Sequence, residues 1–243
     1  MAALRYGIVL VLLLLFCLLL RAPATLLPQL LHRLSGGHAG LDVVGGTLWE
    51  GRASELRWRQ LVLARDFSWQ VKPLSLLLGS LRLKLQLAGR GAQIDIRPSS
   101  LRLQAERLLL PLSLLGELNQ SLATYQLRGN AELHSDGFEF RRDQGDGRLQ
   151  IRLLEAGSGL VAVPVLGDYR LQLAALRRGY RFDVTTERGV LRVSGDGRWT
   201  PGEGGAVRLQ LHPEAQNEAL RPLLSIAGRP SANGDYFLST SFR

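Results

Sequence analysis

The sequence predicts a mainly β protein: an N-terminal single membrane-spanning helix, then a large antiparallel β-sheet, closed as a sandwich or open as a groove, with a few short capping helices. Two patterns carry that prediction. The 54 leucines among 243 residues crowd into one N-terminal run and then recur at every second position along much of the chain, and apolar residues at period two line one side of a strand. Clusters such as Gly-Asp-Gly and Pro-Gly separate the alternating stretches, as hairpins and meanders require. At 46% hydrophobic and 21% charged residues the chain is apolar enough to fold, and its length fits one large domain or two small ones.

Residues 1–5 read as a short tail, 6–20 as a transmembrane signal anchor, 21–40 as a juxtamembrane helix and linker, and 41–243 as a periplasmic β-domain. The uncharged run YGIVLVLLLLFCLLL covers roughly 22 Å as a helix, against a hydrocarbon core of about 30 Å. Arg5 and Arg21 bracket it and can snorkel to the headgroups, which makes one short span feasible. A cleaved signal peptide is the rival reading, because Ala22-Pro23-Ala24 fits the A-x-A pattern behind a positively charged start. Both readings export the remainder. Long domains translocate largely regardless of their charge, so an inside tail with the body outside is the economical arrangement. In a bacterium that means a single-pass inner-membrane protein with the bulk of its chain in the periplasm. Leu26, Leu27, Leu30, Leu31 and Leu34 then share one face of a helix over 25–34, which suits either the membrane surface or packing on the domain.

Alternation dominates after residue 40. Leu81, Leu83, Leu85 and Leu87 interleave with Arg82, Lys84 and Gln86, so four leucines occupy one face of a strand. The pattern returns at 93–97, 101–104, 148–153, 169–173, 180–185, 190–194 and 207–211. Adding 56–63, 67–71, 125–133 and 236–239 gives roughly a dozen strands at the spacing of an all-β fold. Turns are expected at Gly89-Arg90-Gly91, Ser135-Asp136-Gly137, Gly145-Asp146-Gly147, Gly195-Asp196-Gly197 and Pro201-Gly202. A sheet apolar on one side must set that side against a second sheet, a helix, a partner or lipid. Three related segments break the alternation, at 73–79, 111–116 and 222–228. Each has proline at its start and glycine at its end, which reads as a one- or two-turn helix.

Catalytic chemistry has no foothold. The sequence lacks GxxxxGK[ST], GxSxG, HExxH and GxGxxG. Cys17 is the sole cysteine and the four histidines are scattered, so neither a disulfide nor a metal cluster of recognised spacing is expected. No residue is assigned to catalysis, a cofactor or a metal. The net charge of +9 rests on 28 arginines and two lysines. With no helix-turn-helix and no RNP-like strand, nucleic acid is not an expected partner.

Gly45-Gly46-Thr47-Leu48-Trp49-Glu50-Gly51-Arg52-Ala53 resembles the GTLW-x-G-x-A block of the type II secretion system protein N family. The order of later landmarks agrees: Trp69, then Pro73, Leu77 and Gly79, and near the C-terminus 220–228 with Gly228, then Gly234 and Tyr236. The resemblance implies a non-enzymatic inner-membrane component of the secretion apparatus, assisting assembly of the inner-membrane platform or export through it, with other platform proteins as partners. Members of that family are also similar to AsmA-like envelope proteins, which implies the alternative of a lipid-binding or lipid-transporting groove along Leu81, Leu83, Leu85 and Leu87. Read as residues alone, the tryptophans and glycines of the signature are fold determinants: aromatics on strands are packing units, and glycines permit turns and bulges.

Overall fold

Alternating sequence becomes fourteen strands in a computed structural model that describes residue 6 and residues 18–141, 145–214, 218–227, 231 and 233–242. The chain divides into two compact units, the boundary falling between Arg97 and Pro98. The apolar run at 6–20 lies outside the described residues except at its ends, and no helix among the described residues is long and apolar enough to cross a membrane.

The first unit opens with helix α1 (Leu26–Leu34), which packs on strand β1 (Ala39–Asp42). Strands β2 (Gly45–Gly46), β3 (Glu50–Trp58) and β4 (Leu61–Val71) follow, then the one-turn helix α2 (Pro73–Leu77), β5 (Leu81–Leu87) and β6 (Arg90–Arg97). The sheet order is β1-β3-β4-β5-β6, all antiparallel, with β2 paired to β3. Buried apolar residues here are Ala24, Ala39, Leu41, Ala53, Ala64, Phe67, Trp69, Leu87 and Ala92. Five of the nine are alanines, so this core is thin and leans on its two aromatic rings.

The second unit contains β7 (Ser100–Pro111), the short helices α3 (Ser113–Leu118) and α4 (Gln120–Ala123), and then β8 (Leu127–Arg141) and β9 (Arg148–Ser158). Strands β10 (Gly167–Ala175), β11 (Tyr180–Gly189), β12 (Leu191–Thr200) and β13 (Gly204–Pro213) lead to helix α5 (Arg221–Ala227) and β14 (Tyr236–Phe242). Each strand pairs antiparallel with its neighbour in sequence, across tight turns and also across the helical connections between β7 and β8 and between β13 and β14. Its core is Leu112, Ala156, Leu166, Tyr169, Leu191, Leu220 and Leu224, so α5 and the turn before it cover the apolar side of the sheet. A second cluster stacks Phe140, Tyr180 and Trp199 at 5.0–5.6 Å between centroids. The buried Tyr180 hydroxyl donates to the Arg141 carbonyl and accepts from the Arg141 N–H, both at 2.9 Å.

A line of distorted residues crosses this second sheet. Glu155 has φ +50° and Gly129 φ +100°, and the register slips between β8 and β9, β9 and β10, and β10 and β11 nearby. A Cβ on Gly129 would lie 2.5 Å from the Glu155 carbonyl oxygen. The buried Asp168 carboxylate secures the seam, accepting the Glu155 N–H at 2.7 Å and a bond from the Arg188 guanidinium. Bulges of this kind sharpen the local twist of a sheet.

Several expectations need revision. In each unit the strands form one antiparallel meander, and no separate second sheet is found among the described residues. Residues 56–63 are not one strand but the hairpin between β3 and β4, with Arg59 at φ +54°. The segments 135–137 and 195–197, expected as turns, lie inside β8 and β12. Pro111 ends β7, and the helix expected to begin there starts two residues later.

Candidate functional site

The GTLW signature is a tight connection between β2 and β3, where Gly45 faces Arg52 and Gly46 faces Gly51. Gly46 sits at φ +101°, and a Cβ there would come within 2.5 Å of the Glu50 carbonyl oxygen, so the turn needs glycine for both reasons. Thr47 closes it. Its N–H donates to the Glu50 carbonyl at 2.7 Å, and its Oγ1 accepts the Glu50 N–H at 3.1 Å. Trp69 on β4 lies opposite Gly51 and donates its indole N–H to the Leu48 carbonyl at 3.1 Å. A Cβ on Gly51 would fall 2.3 Å from the indole ring. That glycine therefore makes room for the ring, which also stacks on Phe67.

What the turn holds is the chain leaving the apolar run. Leu48 donates its N–H to the Ala22 carbonyl at 2.8 Å, and Ala24 donates its N–H to the Gly46 carbonyl at 3.0 Å. Pro23 and Thr47 form the antiparallel bridge between these bonds. Trp49 reaches further back and donates its indole N–H to the Leu19 carbonyl at 2.8 Å. Ala24 is wholly buried, at 0% exposure. Residues 18–20 are helical and Pro23 makes a single antiparallel bridge, so residues 19–24 are seated on the signature turn by that bridge and the Trp49 indole, and the signature is the seat.

The remaining predicted residues divide. Leu85 lies opposite Trp69, Leu87 opposite Phe67 and Leu83 opposite Val71, while Ile96, Ile94 and Ala92 face Leu81, Leu83 and Leu85 from β6. Trp69 therefore joins the signature turn to the leucine row. Leu87 is buried, whereas Leu81, Leu83 and Leu85 are half-buried. Pro73 opens α2, Leu77 closes it, and Gly79 at φ +68° ends the connection to β5. Gly234, at φ +81°, shapes the turn before β14, and Tyr236 packs on the cluster around Leu220. These two belong to the second unit, and Gly228 lies outside the described residues.

Beside the turn is a depression of about 990 Å³ bordered by Glu50, Arg52, Lys84 and Gln86 as well as Gly46 and Gly51. Its border mixes both signs of charge with the apolar Val43, Ala53, Phe67 and Trp69. Among the described residues, no group of three or more His, Cys, Asp or Glu side chains is placed to hold a metal ion. The arrangement holds a chain segment through backbone bonds. Sequence reasoning missed Leu19, Ala22 and Ala24 as partners of the signature; the A-x-A triplet drew attention only as a cleavage pattern.

A family model described as type II secretion system (T2SS), protein N, matches residues 38–239. The chain belongs to the type II secretion system protein N family. The type II secretion system protein N of Vibrio cholerae serotype O1 is 38% identical over 60 residues, which cover 24% of this chain and 23% of that protein. The chain thus matches less than a quarter of that relative's length. No solved structure matches. The span matched to the protein N family contains the signature turn, and residues 19–24, which the turn holds, precede it.

Proposed function

We propose that this member of the protein N family is a non-enzymatic component of the type II secretion apparatus, held in the bacterial inner membrane by residues 6–20, with its β-units in the periplasm. There it assists assembly of, or export through, the inner-membrane platform and binds other platform proteins. The observation that carries the membrane part is the seating of residues 19–24. Cleavage after Ala24 would remove the segment bridged to the signature turn, stripping the Gly46 carbonyl and the Leu48 N–H of their partners. A fold built around that segment favours a retained anchor over a cleaved signal peptide. Tethering also raises the effective concentration of the β-units toward neighbouring membrane proteins, so weak individual contacts suffice for a scaffold. The test is purification of the detergent-solubilised protein from a secreting strain, with intact-mass measurement and identification of its companions. The expected outcome is an uncleaved chain with other type II inner-membrane components. A mature product beginning at Thr25, or a full-length chain without those companions, would overturn the corresponding part.

A second reading, a lipid-binding groove, is favoured by the half-buried Leu81, Leu83 and Leu85, over which no second sheet lies among the described residues. It expects phospholipid to copurify with the wild-type chain and to be lost from Leu83→Asp. Lipid-free wild-type protein would dismiss it.

A further inference from the structure

The apolar face of α1 is split by the fold. Leu27 and Leu31 are partly covered where the helix packs on β1, while Leu26, Leu30 and Leu34, spaced four apart, stand 50%, 45% and 77% exposed. Leu18 and Leu19, at the start of the seated segment, are exposed as well. The helix begins two residues after Ala24, which the signature turn fixes in place, so the leucine stripe has a set position relative to the end of the apolar run.

Two features decide what covers it. From residue 6 to residue 41 the chain contains no aspartate or glutamate, while Arg21, His32, Arg33 and His38 fall in that stretch. Arg33 projects within about 20° of Leu26 around the helix, at 100° per residue, so a guanidinium flanks the stripe. A narrow apolar stripe flanked by a guanidinium and free of acids is the pattern of a helix lying in a phospholipid interface. Three leucines are also far fewer than the twenty or so residues a stable protein interface takes from each side. We propose that α1 lies along an anionic phospholipid surface, with Leu26, Leu30 and Leu34 inserted among the acyl chains and Arg33 at the headgroup phosphates. Leu27 and Leu31 meanwhile tie the sheet to that surface. The inference rests on the reading that residues 6–20 remain as an anchor.

The experiment uses the full chain with Cys17→Ser, reconstituted in vesicles of phosphatidylcholine and phosphatidylglycerol. A bimane fluorophore is attached at Leu30→Cys or, on the opposite side of the helix, at His32→Cys. Both positions are exposed, so neither substitution disturbs packing. Lipids carrying a nitroxide near the headgroup end of the acyl chain should quench the label at 30 several-fold more than the label at 32. Flotation of the vesicles reads the anchor separately. Protein that floats but shows equal quenching at the two positions, or none at 30, overturns this inference alone. Protein that fails to float overturns the anchor and this inference together.

Discussion

Gly51 and Asp168 are residues whose identity the structure explains by what a replacement would meet. At Gly51 the backbone is unstrained and space is the constraint, since the Trp69 indole occupies the place of a Cβ. Gly51→Ala should therefore displace the indole and cost about 1–3 kcal/mol, the usual range for an overpacked site. Chemical denaturation followed by tryptophan fluorescence measures it. At Asp168 the constraint is electrical. Burial alone would raise its carboxyl, but the Glu155 N–H, then the Arg188 guanidinium, outweigh burial and hold it below the ordinary 3.8. A carboxyl lowered on folding adds stability above its unfolded pKa and loses it as the pH falls through the folded value. Asp168→Asn should be destabilised by about 1–3 kcal/mol at neutral pH, because a neutral amide oxygen is a weaker acceptor than the carboxylate for the Glu155 N–H and its NH2 presents a donor to Arg188. Acid denaturation of the two proteins should converge below the ordinary aspartate range. Arg188 is largely exposed, so solvent screens its share and most of the effect belongs to the Glu155 bond.

At the scale of elements, strands were legible wherever alternation was clean: β5 runs over the four leucines that announce it. Glycine was the source of error. A glycine signals a turn when its φ matters, yet Gly195 and Gly197 sit within β12 because they leave room for Leu209 and Phe182 on the neighbouring strands. The sequence alone does not distinguish the two uses. Ser135-Asp136-Gly137 is a related case: the single Ser135 Oγ proton is shared between the Leu103 and Arg148 carbonyls while Oγ accepts the Phe138 N–H, which stabilises an irregular strand. The seated segment was illegible for another reason. It is joined to the signature mainly by backbone groups, which leave no trace in side-chain pattern. Trp49→Phe tests this element, since it removes the Leu19 bond and leaves an aromatic ring. The fold should persist while limited proteolysis within residues 19–24 speeds up. In the second unit Leu224→Ala, at a site 4% exposed, should cost about 2–5 kcal/mol in denaturation, because α5 is the cover of that sheet.

For the whole molecule, the meander order was readable where short turns leave adjacent strands little choice but to pair, and the same order continues across the helical connections that join β7 to β8 and β13 to β14. Whether the apolar sides would meet a second sheet was not readable, because a leucine row looks the same under a sheet, a helix or lipid. Leu83→Asp measures the cover directly. A half-buried site should accept it with a folded chain and a loss of about 1–3 kcal/mol, the range for a polar group only partly removed from water. An unfolded variant would show that the row is sealed.

The seating of residues 19–24 also has a mechanical meaning. A flexible linker would transmit tension only, letting the load swing freely about its attachment point. Here the chain leaves its apolar run stapled to the signature turn by two backbone bonds and an indole. Torque applied at that end passes into the first unit with little slack. With residues 6–20 anchored as proposed above, a twist or tilt imposed at the anchor would be felt as rotation of the sheet, so the joint would work as a lever and not as a string.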